Sequence, residues 1–470
     1  MIIYIYMCGI IATISNENIF YDLYEGLYHL QHRGQDSFGI SYLNTNDYTN
    51  DYTNDYTIET IKYNTSLSDK ILHDIPNMKM GIGHVRYPTS GEITLNECQP
   101  LYLENKYHNI SIVHNGQILI DEKLLEIFKQ NNIDINENNT SDSEYLLHLL
   151  SFYVNKYERL NNDILIEIVT NIQNILQGSY SCICIIDNFG ILCFKDKESI
   201  RPLIYGKNNN SYMISSESIS LTSLNYEIIE DIYGNDLLFF ATNNNFHKLK
   251  INNNKSIKPC LFEWIYLARE ESILYDVNVY KSRLKMGELL SKKISSIIKD
   301  INIIDAVVPV PDTSKPIALS ISKYLNIPYY EAITKNRYSK RTFIMNSHQR
   351  GKNIKRKLNV IKHLVEKKNL LIVDDSIVRG NTLKHIIKML KESNVNKIYF
   401  VSACPPIINK NIYGLDIPNK KDLLFYNKKI KEIEDELDIK LIFQELSDLK
   451  KSISIFNEKL TRFEDSVFVE

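Results

Sequence analysis

Short apolar runs separated by polar turns dominate the first half of the chain. Residues 8–12 and 38–43 have the pattern of strands, and residues 18–30 have the pattern of a helix. Branched and aromatic side chains in such runs favour half-buried strands. Further strands are predicted over residues 81–86, 110–116, 180–186 and 191–194. The first half is therefore predicted to be a layered, β-rich unit that extends to about residue 246.

The second half has a different pattern, in which strands and helices alternate. It begins after a polar, lysine-rich linker at residues 253–259. Helices are predicted over residues 280–299 and 383–391, and buried strands over residues 303–311 and 369–373. Alternation of this kind predicts a parallel sheet covered by helices. We therefore expect two domains, the first of the α+β class and the second of the α/β class.

Composition and charge narrow the possible functions. The chain has 55 Lys and Arg against 57 Asp and Glu, which argues against a nucleic-acid or membrane-surface protein. The apolar run at residues 1–14 is shorter than the roughly 20 residues that span a bilayer, and it lacks the features of a secretory signal. Seven cysteines without metal-ligand spacing indicate reduced thiols, and Cys182 and Cys184 are interpreted as core residues. We therefore expect the protein to be located in the cytoplasm.

Three tandem copies of Asn-Asp-Tyr-Thr occupy residues 46–57, directly after a predicted strand. The repeat is interpreted as the expanded surface loop of a hairpin. We assign it no function.

Cys8 is the most informative residue of the first half. It follows Met7, so removal of Met7 would make Cys8 the first residue of the mature chain. The α-amine of a terminal residue, with a pKa of about 8, can act as general base for a thiol on the same residue. Residues 1–6 would block that amine, so we expect translation to begin at Met7 or a propeptide to be removed. The alternative is an ordinary buried cysteine, a residue type that is often found in cores.

Three other places in the first half offer groups that suit a small amino-acid substrate. Arg86, at a predicted strand end, can hold a carboxylate by two parallel hydrogen bonds, although a surface arginine is the simpler interpretation. Asn115 and Gly116 form either a hairpin turn or donors for an oxyanion, a contribution of ~3 kcal/mol in acyl transfer. Asp142 lies in a capping box at residues 141–144 and either complements the helix dipole or binds an ammonium group. With a terminal thiol, these groups describe hydrolysis of glutamine through a thioester.

This half resembles the class II, N-terminal-nucleophile glutamine amidotransferases. The resemblance rests on residues 7–10 (MCGI), 31–36 (QHRGQD), 84–89 (HVRYPT), 114–116 (HNG) and 141–144 (SDSE). It implies a four-layer αββα sandwich over residues 8–250, with residues 1–7 as an extension or propeptide. The roles that it implies are Cys8 as nucleophile, Asn115 and Gly116 as oxyanion donors, and Arg86 and Asp142 as clamps on the glutamine backbone.

Asp374 and Asp375 end the strongest motif of the second half. A buried strand delivers these two carboxylates to its carboxyl end, where ligands bind in open α/β sheets. The small-residue loop at 376–382 then leads into a helix, whose first N–H groups can bind phosphate. Two carboxylates beside a phosphate site suit ribose hydroxyls, magnesium or both. The simpler alternative is an acidic turn after a buried strand.

A dense basic segment lies at residues 335–344, between the two loops that follow the predicted strands. One interpretation is a solvated loop. The other is a mobile cationic flap that closes over pyrophosphate and excludes water from a carbocation-like centre.

These features resemble the phosphoribosylpyrophosphate (PRPP) loop of type I phosphoribosyltransferases. The resemblance implies such a domain, with C-terminal helices, over residues 260–470. Asp374 and Asp375 would hold the ribose and a Mg²⁺ cofactor, joined at the metal by Thr313. The implied pyrophosphate residues are Asp312, Thr313, Ser314 and Lys315, the 5-phosphate residues are Ser376, Arg379, Gly380 and Thr382, and the flap residues are Lys335, Arg337 and Tyr338.

Together the two halves resemble the two-domain glutamine amidotransferases that act on PRPP. The resemblance implies that ammonia from glutamine passes through an internal channel to PRPP, giving 5-phosphoribosylamine, glutamate and pyrophosphate in the first committed step of purine synthesis. It also implies a homo-oligomer, a tetramer in relatives, and feedback inhibition by purine nucleotides.

Some features depart from the family pattern. Lys340 stands where the flap usually has glycine, and the chain ends two residues after Phe468. Some relatives carry an iron-sulfur cluster held by four cysteines. Beyond residue 250 this chain has only Cys260 and Cys404, so we predict no cluster.

Two other functions are compatible with part of the sequence. One is a different class II amidotransferase that makes an amino sugar or asparagine, but such acceptor domains lack the loop of residues 374–382. The other is a PRPP-sensing regulatory protein with an inactive glutaminase, against which the basic segment and the complete set of glutaminase residues argue.

Overall fold

The computed structural model describes residues 8–45, 56–67, 76–86, 95–135, 141–243, 245–253, 255–336, 358–415 and 419–469. Residues 1–7, most of the tandem repeat, and the flap residues Arg337, Tyr338 and Lys340 therefore lie outside the described residues.

Among the described residues of the first half of the chain, thirteen strands form two stacked antiparallel sheets. They are β1 (Gly9–Ile14), β2 (Ser37–Thr45), β3 (Tyr56–Tyr63), β4 (Met80–Arg86), β5 (Leu101–Leu103), β6 (Ile110–Leu119), β7 (Gln177–Ile186), β8 (Gly190–Lys195), β9 (Ile204–Asn208), β10 (Ser211–Ser215), β11 (Glu227–Asp231), β12 (Asp236–Ala241) and β13 (Phe246–Lys250). The first sheet has the order β11-β9-β10-β1-β4-β2-β3, and the second has the order β13-β12-β8-β7-β6-β5. Apolar side chains of both sheets, among them Ile10, Ile82, Val113 and Ile183, form the core between them.

Helices cover the outer face of each sheet. Their bounds are α1 (Phe20–His29), α2 (Glu122–Gln130), α3 (Asp142–Val154), α4 (Asn162–Ile175) and α5 (Ser218–Ser223). Helices α1 and α5 pack on the first sheet through Leu23, Leu27 and Leu221, and α2, α3 and α4 pack on the second. The four layers confirm the αββα sandwich that the resemblance implies.

Several local predictions in this domain are confirmed, and one is wrong. Strands β2 and β3 pair as the expected hairpin, and the carboxylate of Glu144 accepts a hydrogen bond from the N–H of Ser141 at 2.8 Å, as a capping box requires. Cys182 and Cys184 are buried in the core. The strand predicted to end at residues 115–116 instead continues to Leu119, because its whole length pairs with β7.

The second half contains a parallel sheet. Its strands, with two small hairpins, are β14 (Ile273–Leu274), β15 (Val277–Asn278), β16 (Ala306–Pro309), β17 (Ile333–Lys335), β18 (Leu358–Val360), β19 (Asn369–Asp374), β20 (Lys397–Ser402) and β21 (Lys440–Phe443). The helices are α6 (Val279–Ile297), α7 (Lys315–Leu325), α8 (Lys362–Val365), α9 (Asn381–Glu392), α10 (Ile430–Leu437) and α11 (Leu446–Ser454). The parallel strands have the order β16-β19-β20-β21, with apolar cores on both faces. This confirms the predicted parallel-sheet domain.

The two domains meet along polar as well as apolar contacts. The hydroxyl of Tyr275 donates to the carbonyl of Ser199 at 2.6 Å, and the hydroxyl of Ser179 donates to the carbonyl of Tyr413 at 2.8 Å. A short π-helical turn, Glu263–Leu267, lies at this interface. Within the described part of the chain, no helix is long and apolar enough to cross a membrane.

Candidate active site

Cys8 lies half-buried immediately before β1. Its carbonyl accepts a hydrogen bond from Nε of Arg33 at 3.0 Å. Burial raises the pKa of the Cys8 thiol to about 11, and the charge of Arg86 opposes this shift while that of Asp142 adds to it. Arg86 and Asp142, predicted from distant parts of the sequence, thus lie close enough to Cys8 to act on its charge.

Asn115 lies on β6, which packs against β1 and β4 across the space between the sheets. Its side chain is fully buried, and neither Oδ1 nor Nδ2 has a hydrogen-bond partner among the described residues. A buried polar group without a partner destabilises the folded state, so an amide left in this condition is a candidate for contact with a substrate. The next residue, Gly116, has φ +149°, and a Cβ there would lie 2.0 Å from the carbonyl oxygen of Ser179. Only glycine therefore fits beside Asn115.

Arg86 and Asp142 are each held by the backbone. Arg86 is the last residue of β4, and its guanidinium donates to the carbonyl of Glu97. Asp142 is the first residue of α3, and its Oδ2 accepts a hydrogen bond from the N–H of Ile118 at 2.9 Å. That bond joins Asp142 to the strand that carries Asn115 and Gly116.

A cluster of buried charges lies behind Cys8, and sequence reasoning gave its members no role. The guanidinium of Arg33 contacts both Glu217 and Glu263, and Arg201 contacts Glu263 at 3.4 Å. The charges of His32 and Arg33 outweigh the effect of burial and hold the pKa of Glu217 well below its usual range. The signal in the sequence was a charged residue inside an apolar run, as at Glu263 between Phe262 and Trp264.

In the second domain, Asp374 is the last residue of β19 and Asp375 follows it, so both carboxylates lie at the carboxyl end of the strand as predicted. The hydroxyl of Thr313 donates to one oxygen of Asp375, and the hydroxyl of Ser376 donates to the other at 2.7 Å. The N–H of Asp375 donates to Oδ1 of Asp374 at 2.9 Å. Burial, and then the neighbouring charge of Asp375, raises the pKa of Asp374 well above its usual range. Two such carboxylates are poised to receive a cation or hydroxyl groups.

The loop after these carboxylates ends at the N-terminus of α9. Gly380 caps this helix with φ +76°, and a Cβ there would lie 2.8 Å from the side chain of Leu424. Thr382 lies in the first turn of the helix, and Arg379 lies 3.8 Å from the carboxylate of Asp422. The structure therefore brings three of the predicted 5-phosphate residues, Arg379, Gly380 and Thr382, to a helix N-terminus, where N–H groups and the helix dipole favour an anion.

The predicted pyrophosphate residues lie at the start of α7. Lys315 is its first residue and contacts Glu331 at 3.0 Å, while the hydroxyl of Ser314 donates to the carbonyl of Val310 at 2.5 Å. Lys335, at the end of β17, reaches Asp312 with an Nζ–Oδ2 distance of 2.9 Å. The structure thus joins one predicted flap residue to the predicted pyrophosphate loop.

The carboxylates at the end of β19 have the chemistry of ligands for a divalent cation. Asp374, Asp375 and Thr313 supply only oxygen atoms, which Mg²⁺ prefers. Among the described residues, no three His, Cys, Asp or Glu side chains converge to form a larger site. Mg²⁺ commonly binds through one or two carboxylates together with substrate phosphates and water, so this donor set fits a cation that arrives with a phosphorylated substrate.

Comparison with known families agrees with this division of the chain. The glutamine amidotransferase domain family matches residues 90–223, and the phosphoribosyl transferase domain family matches residues 278–438. The fold and the two sites thus define a glutamine amidotransferase joined to a phosphoribosyltransferase.

Curated relatives and solved structures match nearly the whole chain. The amidophosphoribosyltransferase of Pasteurella multocida is 37% identical over 475 residues, covering 98% of this chain and 92% of the relative. That of Saccharomyces cerevisiae is 34% identical over 480 residues, with 98% and 91% coverage. The solved glutamine PRPP amidotransferase of B. subtilis, complexed with ADP and GMP, matches with a TM-score of 0.82 and 25% identity over 98% of this chain and 94% of that one. The chain belongs to the amidophosphoribosyltransferase family.

Proposed function

We propose that this enzyme transfers ammonia from glutamine to PRPP, giving 5-phosphoribosylamine, glutamate and pyrophosphate as the first committed step of purine synthesis. The observation that carries the proposal is the amide of Asn115, fully buried beside Cys8's strand and without a partner among the described residues. A second site in the same chain, with two buried carboxylates, would bind PRPP, the acceptor of the ammonia.

In the first half-reaction, the thiolate of Cys8 attacks the carboxamide carbon of glutamine. The side chain of Asn115 and the N–H of Gly116 donate to the oxyanion that develops on the carboxamide oxygen. The α-amine of a mature chain that begins at Cys8 takes the thiol proton and passes it to the leaving nitrogen, so ammonia departs and a thioester remains. Water then attacks the thioester carbon, which releases glutamate and restores the thiol.

Two charged side chains would fix the glutamine backbone in this reaction. Arg86 would bind the α-carboxylate and Asp142 the α-ammonium. The electrostatic effect of both residues on Cys8 supports their assignment to one site. Holding the substrate at both ends places its carboxamide near the thiol and lowers the entropic part of the barrier.

In the second half-reaction, ammonia attacks the C1 carbon of PRPP, the C–N bond forms, and the bond from C1 to pyrophosphate breaks. Asp374 and Asp375, oriented through Thr313, would hold the ribose and Mg²⁺. When bound, Mg²⁺ supplies positive charge to the pyrophosphate that leaves. The proposed 5-phosphate residues are Ser376, Arg379, Gly380 and Thr382, the proposed pyrophosphate residues are Asp312, Thr313, Ser314 and Lys315, and the proposed flap residues are Lys335, Arg337 and Tyr338.

The proposal also covers the organisation of the enzyme. We place the glutaminase domain at residues 8–250 and the phosphoribosyltransferase domain at residues 260–470, with residues 1–7 removed or not translated. Purine nucleotides would act as feedback inhibitors, in keeping with the ADP and GMP named for the B. subtilis structure. We further propose a homo-oligomer, a tetramer as in relatives, located in the cytoplasm.

One assay tests the central proposal. The purified protein is incubated with glutamine, PRPP and magnesium, and the release of glutamate and pyrophosphate is measured. We expect both products in equal amounts, and glutamate release without any dependence on PRPP would refute the proposal. Replacing Cys8 by alanine is expected to abolish the use of glutamine and to leave ammonia-dependent activity, whereas loss of both activities would contradict two separate sites.

A further inference from the structure

His84, on β4, is a buried titratable residue that the proposed reaction does not use. Its side chain is fully buried, and neither ring nitrogen makes a hydrogen bond of normal geometry within the described part of the chain. Burial lowers the pKa of His84 well below its usual range, so the ring is neutral at neutral pH and has one donor and one acceptor nitrogen. Unpaired polar atoms in a protein interior cost stability and point to a catalytic role or to a bound water or ion.

The strand register places the His84 ring on the same face of the first sheet as Cys8. Ile10 of β1 pairs with His84 in antiparallel register. Continued by two residues, this register sets Cys8 opposite Arg86. Residues two apart on a strand point to the same face, and Ile10 belongs to the core between the sheets. The charge of Arg86 acts on both Cys8 and His84, so His84 lies just inward of the proposed glutamine site.

Two other unpaired polar groups face this space. Ser37, the first residue of β2, pairs with Arg86 and is 2% exposed, and its hydroxyl has no hydrogen-bond partner among the residues described. On the facing sheet, the amide of Asn115 is unpaired at both Oδ1 and Nδ2 within the same described ranges. The carbonyl of His114, which precedes Asn115, is close enough to act on the His84 ring. Side chains from β2, β4 and β6 thus converge below the proposed nucleophile.

We propose that His84 binds the water molecule that hydrolyses the glutamyl thioester on Cys8, with Ser37 and Asn115 completing the site. The hydroxyl of Ser37 donates to one ring nitrogen, which fixes the proton on the other, and that N–H donates to the water. The water donates to Oδ1 of Asn115, whose Nδ2 remains available for the oxyanion, and to the α-amine of the mature chain. The water then makes about three hydrogen bonds, the usual number for a buried water, and keeps one lone pair for the thioester carbon.

The bonds and protons balance in this step. The water oxygen bonds to the thioester carbon while one water proton passes to the α-amine. The C–S bond breaks, the sulfur regains that proton from the amine, and the product leaves as a free acid that ionises to glutamate. The inference rests on the proposed function, because it assigns a residue to the second step of the same glutaminase reaction.

The central variant is His84→Phe, which removes both ring nitrogens and keeps a ring in their place. We expect it to lower kcat with glutamine about tenfold to a hundredfold, because misplaced reacting groups have effects of this size. Formation of the thioester does not need this water. Glutamyl-Cys8 should therefore accumulate and be detected by intact-mass spectrometry after an acid quench, while ammonia-dependent activity remains.

Hydroxylamine gives a readout that a merely structural role of His84 would not produce. It is a stronger nucleophile than water and does not need the proposed site, so it should restore glutamine consumption by His84→Phe and yield glutamyl hydroxamate. His84→Gln keeps a side chain that can donate to the water and should retain more of the rate than His84→Phe. Ser37→Ala should also accumulate the thioester, to a smaller extent, and it tests the inference if the variants at His84 do not fold.

His108→Phe is the matched control. His108 is also buried, and its ring nitrogens are likewise unpaired in the described part of the structure. Its carbonyl accepts from Asn155 at the C-terminal end of α3, about 20 Å from Asp142 at the other end of that helix. His108→Phe should therefore leave hydrolysis of the thioester unchanged.

The possible outcomes separate this inference from the proposed function. Full glutamine turnover in folded His84→Phe, or a loss of turnover without accumulated thioester, would overturn the role of His84. Absence of glutamate release by the unaltered enzyme with glutamine, PRPP and magnesium would instead refute the proposed function.

Discussion

Gly414, in the second domain, lies against the backbone of Gly116: a Cβ on Gly414 would be 3.1 Å from the carbonyl carbon of Gly116. The residue before it, Tyr413, accepts hydrogen bonds at its carbonyl from Ser179 and Arg201. The strand that carries the proposed oxyanion donors is thus supported by a turn of the other domain. A side chain in this turn would press on the donor itself.

We predict that Gly414→Ala selectively impairs the use of glutamine. Gly414 has φ +90°, which strains a residue with a Cβ, and the added carbon would displace Gly116 or the turn. Displacement of a catalytic group by a fraction of an ångström lowers kcat by about ten- to a hundredfold. Steady-state rates with glutamine and with ammonia measure the effect, and the ammonia rate should remain.

Gly190→Ala is the matched control for this prediction. Gly190 has φ +141°, and its Cβ would lie 2.0 Å from the carbonyl oxygen of Phe240, but it pairs with Ile186 at the far end of β7. It should lower the unfolding temperature without a glutamine-specific loss. An equal loss of glutamine use in both variants would contradict a role for the contact between Gly414 and Gly116.

We predict that Asn115→Leu lowers kcat with glutamine by about 10²- to 10³-fold, the effect of removing one oxyanion donor. Because the amide of Asn115 has no partner among the described residues, its removal should leave the unfolding temperature unchanged or raise it. Asn235→Leu provides the comparison, since Asn235 is also buried but donates to the carbonyl of Asn252. Asn235→Leu should lower the unfolding temperature and keep activity. Full activity in Asn115→Leu together with a loss of activity in Asn235→Leu would refute the oxyanion role of Asn115.

Thr313→Val is predicted to raise the KM for PRPP about tenfold or more in the ammonia-dependent reaction. The change removes a hydroxyl that donates to the carboxylate of Asp375, and hydrogen bonds to charged groups contribute about 1.5–3 kcal/mol. Thr313→Ser keeps the hydroxyl and should stay close to the unaltered enzyme. Equal effects of valine and serine would show that packing, and not the hydrogen bond, sets the affinity.

In the chain that keeps residues 1–7, the rate at which the Cys8 thiol is alkylated should rise steeply with pH. The pKa of this thiol is about 11, so the reactive thiolate is scarce at neutral pH and increases as pH rises toward that value. Alkylation by iodoacetamide should therefore accelerate about tenfold per pH unit between pH 7 and pH 10. At pH 8 it should be about two orders of magnitude slower than for a cysteine of ordinary pKa near 8.5.

Mass spectrometry of the alkylated protein checks this prediction. The six other cysteines are buried, so Cys8→Ser should abolish labelling of the folded protein. A rate that levels off below pH 9 would mean that the thiol is more acidic than its burial requires.

The sequence predicted those functional residues that can be recognised from the pattern of one short segment. Asp374 and Asp375 end a buried strand and precede a helix, so local pattern alone places them at a ligand-binding edge. Asn115 was visible as part of an Asn-Gly pair, but the pair was ambiguous because most such pairs form turns. Pairing of β6 with β7 along its full length shows that Asn115 and Gly116 lie within a strand, and the partner of Asn115 in this pairing is Ser181, far away in the sequence.

The charge cluster could not be read from local pattern. Arg33 and Glu263 are 230 residues apart and belong to different domains, so no local motif joins them. The sequence did show a charged residue, Glu263, in an apolar segment. Such a residue predicts a buried partner of opposite charge, but it does not identify which residue that partner is. The link from Lys335 to Asp312 is of the same kind, since it depends on how β17 lies beside the start of α7.

The hairpin of β2 and β3 marks a place where the chain can be lengthened. The two strands stay paired up to Thr45 and Tyr56, which flank most of the Asn-Asp-Tyr-Thr copies. Loop closure costs only about 0.6 kcal/mol for each doubling of loop length. Copy number can therefore drift by replication slippage at little thermodynamic cost, and the same position would accept an affinity tag or a fluorescent label.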